Sequence, residues 1–155
     1  MGAHPAPRRR RLSRQGGPPA GCTPTAALAT RIAAFVEGLD THALTDEVLH
    51  HLKPAALDCL ACILGGRSER VSLIALSQVT RRGCEGPATI IGHRPRLSLE
   101  DAALVNGTMG HACDYDDVSL TMWGHATAPV LPAALAVAEA GNASGRDFLL
   151  AFLAG

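Results

Sequence analysis

Apolar residues recur at three- and four-residue intervals along most of the chain, the spacing of helices that bury one face. Leu28, Ile32, Phe35 or Val36, and Leu39 form the first series. Thr23 or Thr25 is placed to cap it, Pro24 suits its first turn, and Gly38 ends it. Thr45 opens a second series, with Asp46 and Glu47 at its positive end. Pro54 should kink or divide that helix. The half that follows, residues 55–64, is apolar nearly all round and reads as central, with Gly65 and Gly66 as its stop. Ser68 starts a third helix with Val71, Ile74 and Val79 on one face and Gly83 as terminator.

The period then changes. Residues 88–92 and 96–98 read as two short extended pieces around a turn, a small β-hairpin near 87–98. SLED at 98–101 is a capping-box pattern that opens a helix to about Cys113. Gly107 and Gly110 lie inside it and point to a close approach by another helix. Residues 114–124 are a loop. Thr127 is expected to cap a helix over 128–140, with Pro129 and Pro132 in its first turn. SGRD at 144–147 is a second capping box, and the apolar helix it launches continues to residue 154. A helix started this firmly so near the last residue reads as part of something larger. The expected fold class is therefore mainly α: a multi-helix, bundle-like N-terminal part of a larger helical domain.

Composition adds limits. Residues 1–24 hold five Arg and no acid and read as a disordered basic tail, which leaves nine bases against fourteen acids in residues 25–155. That mildly acidic balance argues against a nucleic-acid partner. No run of about eighteen apolar residues occurs, so no membrane span is expected. Five cysteines without a secreted-scaffold density fit a reducing, cytoplasmic setting. The Cys59-x-x-Cys62 pair lies in an apolar helical run and reads as packing.

The chemistry concentrates in residues 106–132. Asp114, Asp116 and Asp117 crowd the negative end of a helix, where each is disfavoured by about 0.3–1 kcal/mol. A local rule broken three times in four positions marks a candidate site. His125 stands just before the next helix, whose free N–H groups could seat a substrate carboxylate. It is the candidate general acid or base. His111 reads as structural and Trp123 as a packing anchor for the loop. The spacing of these His and Asp residues matches no compact metal motif, so no metal and no cofactor are expected.

AALVNGT at 102–108, HACDYDD at 111–117, GH at 124–125 and APVLP at 128–132 together resemble the MmgE/PrpD family, as do LDCL at 57–60, ATIIG at 88–92 and ASGRD at 143–147. The family includes 2-methylcitrate dehydratases and cis-aconitate decarboxylases. The resemblance covers about residues 26–155. It implies a mostly helical large domain, a second lid domain beyond this chain, a homodimer, and metal-independent chemistry on a small di- or tricarboxylate. It implies that His125 and Asp114 are catalytic, and that Asp117 and Thr127 help to bind substrate. The first expectation is a hydro-lyase that dehydrates a 2-methylcitrate-like acid, as in propionate catabolism. The alternatives are a cis-aconitate-like decarboxylase and a non-catalytic helical interaction fragment. Two departures stand out: Val118 occupies a position where some members, decarboxylases included, have Thr, and Ala126-Thr127 follows His125 where Pro-Ser is common.

Overall fold

The computed structural model describes residues 27–83 and 85–155. The basic tail, Thr23, Thr25, Cys22 and Cys84 lie outside the described residues. Among the described residues six α-helices follow in order: α1 Leu28–Gly38, α2 Asp46–Gly66, α3 Arg70–Thr80, α4 Leu99–His111, α5 Thr127–Ala140 and α6 Gly145–Ala154. Between α3 and α4 lies an antiparallel pair, β1 Glu85–Thr89 and β2 Arg96–Leu97. The fold is mainly α with a small hairpin, as the periodicity predicts.

Local signals place several helix starts. Thr45 Oγ1 accepts the Val48 N–H at 3.3 Å. Ser98 Oγ accepts the Asp101 N–H at 3.2 Å, and Ser144 with Asp147 forms a reciprocal capping box. Three expectations are corrected. Pro54 does not divide α2, which runs through it. An interior proline costs about 3 kcal/mol, but burying one Ile or Leu returns about 1.5–3 kcal/mol, and Ala56, Cys59, Ile63 and Gly66 are all buried beyond it. α3 buries Ser72 and Val79, whereas Val71 and Ile74 are exposed. α1 buries none of its residues.

The core lies where α4 packs between α2 and α5, with Cys59, Ile63, Val105, Met109 and Leu131 fully enclosed. Glycine permits the close approach. A Cβ on Gly66 would stand 2.0 Å from the Met109 carbonyl oxygen, and one on Gly110 would stand 3.3 Å from Ile63. Asn106 ties α4 to the end of the hairpin strand: its Oδ1 accepts the Ile91 N–H at 3.0 Å and its Nδ2 donates to the Thr89 carbonyl at 2.9 Å. By length and mean hydropathy α2 is apolar enough to cross a membrane, although no uninterrupted apolar run signals it. One face of it, with Ala56, Cys59 and Ile63, is buried against α4 and α5, while Leu57 and Leu64 are exposed.

Candidate active site

The end of α4 and the start of α5 bring the chemistry together. After Ala112 the chain turns sharply, with the Asp114 N–H donating to the His111 carbonyl at 3.1 Å. Asp114 adopts φ of 54°, a left-handed conformation that Asp tolerates better than most residues. Beyond the turn Asp114 and Asp116 both approach His125, and Asp117 takes a different partner. Asp114 is 78% exposed at its side chain and stands 3.6 Å from His125 Nε2. Asp116 is fully buried and reaches both imidazoles, His111 Nδ1 at 2.9 Å and His125 Nδ1 at 3.2 Å. Asp117 Oδ1 accepts the Thr127 N–H at 3.1 Å and also the Thr127 hydroxyl.

That last contact corrects the capping expectation. Thr127 is the first residue of α5, and Ala126 before it makes no side-chain cap. The cap comes instead from Asp117, ten residues upstream, whose negative charge also complements the helix dipole. Cys59 Sγ meets the Thr127 carbonyl at 3.6 Å, so the start of α5 is held from two sides. Burial raises the Cys59 thiol to about 11, a packing thiol and not a nucleophile.

The two histidine rings stand 4.5 Å apart, edge to face. Both line a cleft of about 720 Å³ between α3, α4 and α5, walled by Val71, Leu104, Gly107 and Pro129. No Lys or Arg is among the lining residues. His111 is held above its ordinary value, first by its hydrogen bond to Asp116 and then by the charge of Asp116; burial opposes this, and the charge of Asp114 adds the least.

All four residues expected from the sequence, His125, Asp114, Asp117 and Thr127, gather at this one place. Asp114 and His125 are neighbours, and His125 lines the cleft while Asp114 stands at its edge, outside the lining. Asp117 and Thr127 are engaged with each other, which makes them the anchor of α5. Sequence reasoning missed the parts played by His111 and Asp116. The usable signal was the stripe Leu104, Gly107, Thr108 and His111, one helix face at i, i+3, i+4 and i+7 that the structure lines the cleft with. The fold also brings donor atoms of His111, Asp114, Asp116 and His125 within 4.8 Å of one another. Such a set could hold a divalent cation, whatever the sequence spacing. Trp123 is not a packing anchor, being 89% exposed.

Residues 30–155 match the MmgE/PrpD N-terminal domain. The chain belongs to the MmgE/PrpD family. It is 36% identical over 132 residues to a cis-aconitate decarboxylase of Homo sapiens, covering 79% of this chain and 26% of that protein. The cis-aconitate decarboxylase of Mus musculus is 33% identical over the same length. A cis-aconitate decarboxylase-like protein of Aspergillus oryzae is 29% identical over 140 residues, 86% of this chain and 29% of that protein. The chain thus spans under a third of the length of these curated relatives.

Proposed function

We propose that this MmgE/PrpD domain supplies the proton-transfer half of a lyase site for a small tricarboxylate. The observation that carries the reading is the convergence of Asp114 and His125, 3.6 Å apart, at a cleft lined by two histidines. In this reading His125 moves the proton at the reacting carbon and Asp114 stabilises the imidazolium at Nε2. Asp117 and Thr127 contribute to substrate binding by setting the position and angle of α5. A tricarboxylate needs more cationic partners than this cleft offers. The remaining length seen in the relatives, a lid domain in the family's pattern, would bring them, and homodimer formation would cover exposed apolar surface.

Decarboxylation of a cis-aconitate-like acid is the reaction that the named relatives favour. The bond to one carboxylate breaks, CO2 leaves, and the electron pair left on carbon takes a proton from His125 in its imidazolium form, which solvent then reprotonates. Dehydration of a 2-methylcitrate-like acid is the second reading, favoured by Val118 in place of Thr. There a C–H proton passes to His125 and is returned to the departing hydroxyl, which leaves as water. The free thiols Cys59, Cys62 and Cys113 support a reducing, cytoplasmic setting.

The test is incubation of the purified natural gene product with each acid, followed by proton NMR and CO2 detection. CO2 released from cis-aconitate supports the first reading, and loss of water from 2-methylcitrate supports the second. Folded protein that turns over neither removes both.

A further inference from the structure

We infer that Asp116 is a positioning residue shared by both histidines, which fixes neutral His125 in the Nδ1–H tautomer and leaves Nε2 as its proton-accepting atom. The inference rests on the lyase reading for its catalytic meaning, but its structural content stands apart from it. Asp116 has no solvent exposure at its side chain. A buried carboxylate is costly unless it is paired with donors. The contacts described for it are His111 Nδ1, at 2.9 and 3.2 Å from its two oxygens, and His125 Nδ1, at 3.2 Å. An ionised carboxylate only accepts, so His111 Nδ1 donates to it, and a proton on His125 Nδ1 is the one that would face the nearer, buried carboxylate. With Nδ1 committed, the lone pair of a neutral His125 falls on Nε2. That is the nitrogen beside Asp114. The imidazole therefore lies between a buried carboxylate that orients it and an exposed one that can stabilise the proton it takes up.

One detail refines the geometry. His125 Nδ1 is shielded from solvent and close to Asp116 Oδ2, yet the pair is not aligned as a hydrogen bond. Catalytic hydrogen bonds are commonly loose before substrate binds. His111 has the stronger claim on Asp116.

The direct readout is long-range nitrogen–proton NMR on the protein labelled with 15N-histidine, in chelator-treated buffer at alkaline pH. Wild type should show a pyrrole-like Nδ1 and a pyridine-like Nε2 for His125. Asp116→Asn keeps the shape but offers a donor, and should shift His125 toward the Nε2–H tautomer. His111→Asn leaves the Asp116–His125 contact in place and should preserve the wild-type pattern. In the natural gene product, Asp116→Asn should lower kcat by roughly 10²–10⁴-fold with little change in KM. An Nε2–H tautomer for His125 in wild type overturns the inference, as does a pattern that folded Asp116→Asn leaves unchanged. If Asp116→Asn does not fold, the wild-type tautomer alone decides. The NMR result is independent of turnover, so failure of the lyase reading is distinguishable from failure of this one.

Discussion

The α2–α4–α5 seam and the segment that joins α4 to α5 are neighbours held by opposite means. In the seam apolar side chains do the holding: Ile63, Val105, Met109 and Leu131 are enclosed, and glycine lets backbones approach. In the joining segment polar side chains do it. Asp116 ties the segment to two histidines and Asp117 ties it to α5, while Tyr115, Leu120, Met122 and Trp123 face outward. The difference separates two tasks. The seam fixes the helix ends to which the functional groups are attached, and buried Asp116 and half-buried Asp117 then set orientation on that rigid base. The outward apolar residues contribute little to the domain's own stability, which leaves them available to surface outside this chain.

Perturbations should therefore divide sharply between the two regions. Gly66→Val places side-chain carbons against the Met109 carbonyl, a backbone atom that cannot rotate away. It should cost about 3 kcal/mol or more in chemical denaturation. A loss below about 1 kcal/mol would mean that the seam is looser than its distances. Asp117→Ala removes the cap of α5 and should cost about 1–2 kcal/mol, with Asp117→Asn restoring most of it. Equal losses in the two variants would assign the effect to charge and not to the accepted hydrogen bond.

A smaller effect should appear in the pH dependence of stability. The folded-state pKa of His111 is raised, so its contribution is fully present below the unfolded value of about 6.5 and is lost as pH rises through the folded value. Melting curves of His111→Asn should therefore lose relative stability at mildly acidic pH and converge on wild type above that window. Divergence in the opposite sense would contradict the Asp116 contact. Smallest of all, Trp123→Ser should leave stability within about 0.5 kcal/mol of wild type. A drop above about 1 kcal/mol would place that ring in a packed environment.

What the sequence made legible follows the same division. Thr45, Ser98 and Ser144 are readable as helix starts because their hydrogen bonds close within three residues. The glycines of α4 are readable because close approach is the plain use of a helical glycine. Which stripe of α3 faces inward was not readable, since Val71 and Ile74 are as apolar as Val79 and tertiary packing makes the choice. The continuity of α2 through Pro54 is a contest between one lost hydrogen bond and the burial beyond it, which spacing alone does not decide. At the site, the convergence of Asp114 with His125 came from the resemblance and from their helix-end positions. The pairing of His111 with Asp116 depends on the left-handed turn at Asp114, which no local pattern announces. The same turn explains why Thr127 receives its cap from Asp117 and not from a residue beside it.

The central claim is that His125 carries the proton. The most direct measurement compares turnover of cis-aconitate and 2-methylcitrate by the natural gene product and by its His125→Gln variant, with melting curves to establish that both are folded. The account predicts a loss of roughly 10²–10⁴-fold in kcat on whichever acid the wild type accepts. A folded His125→Gln protein that works at the wild-type rate would contradict it.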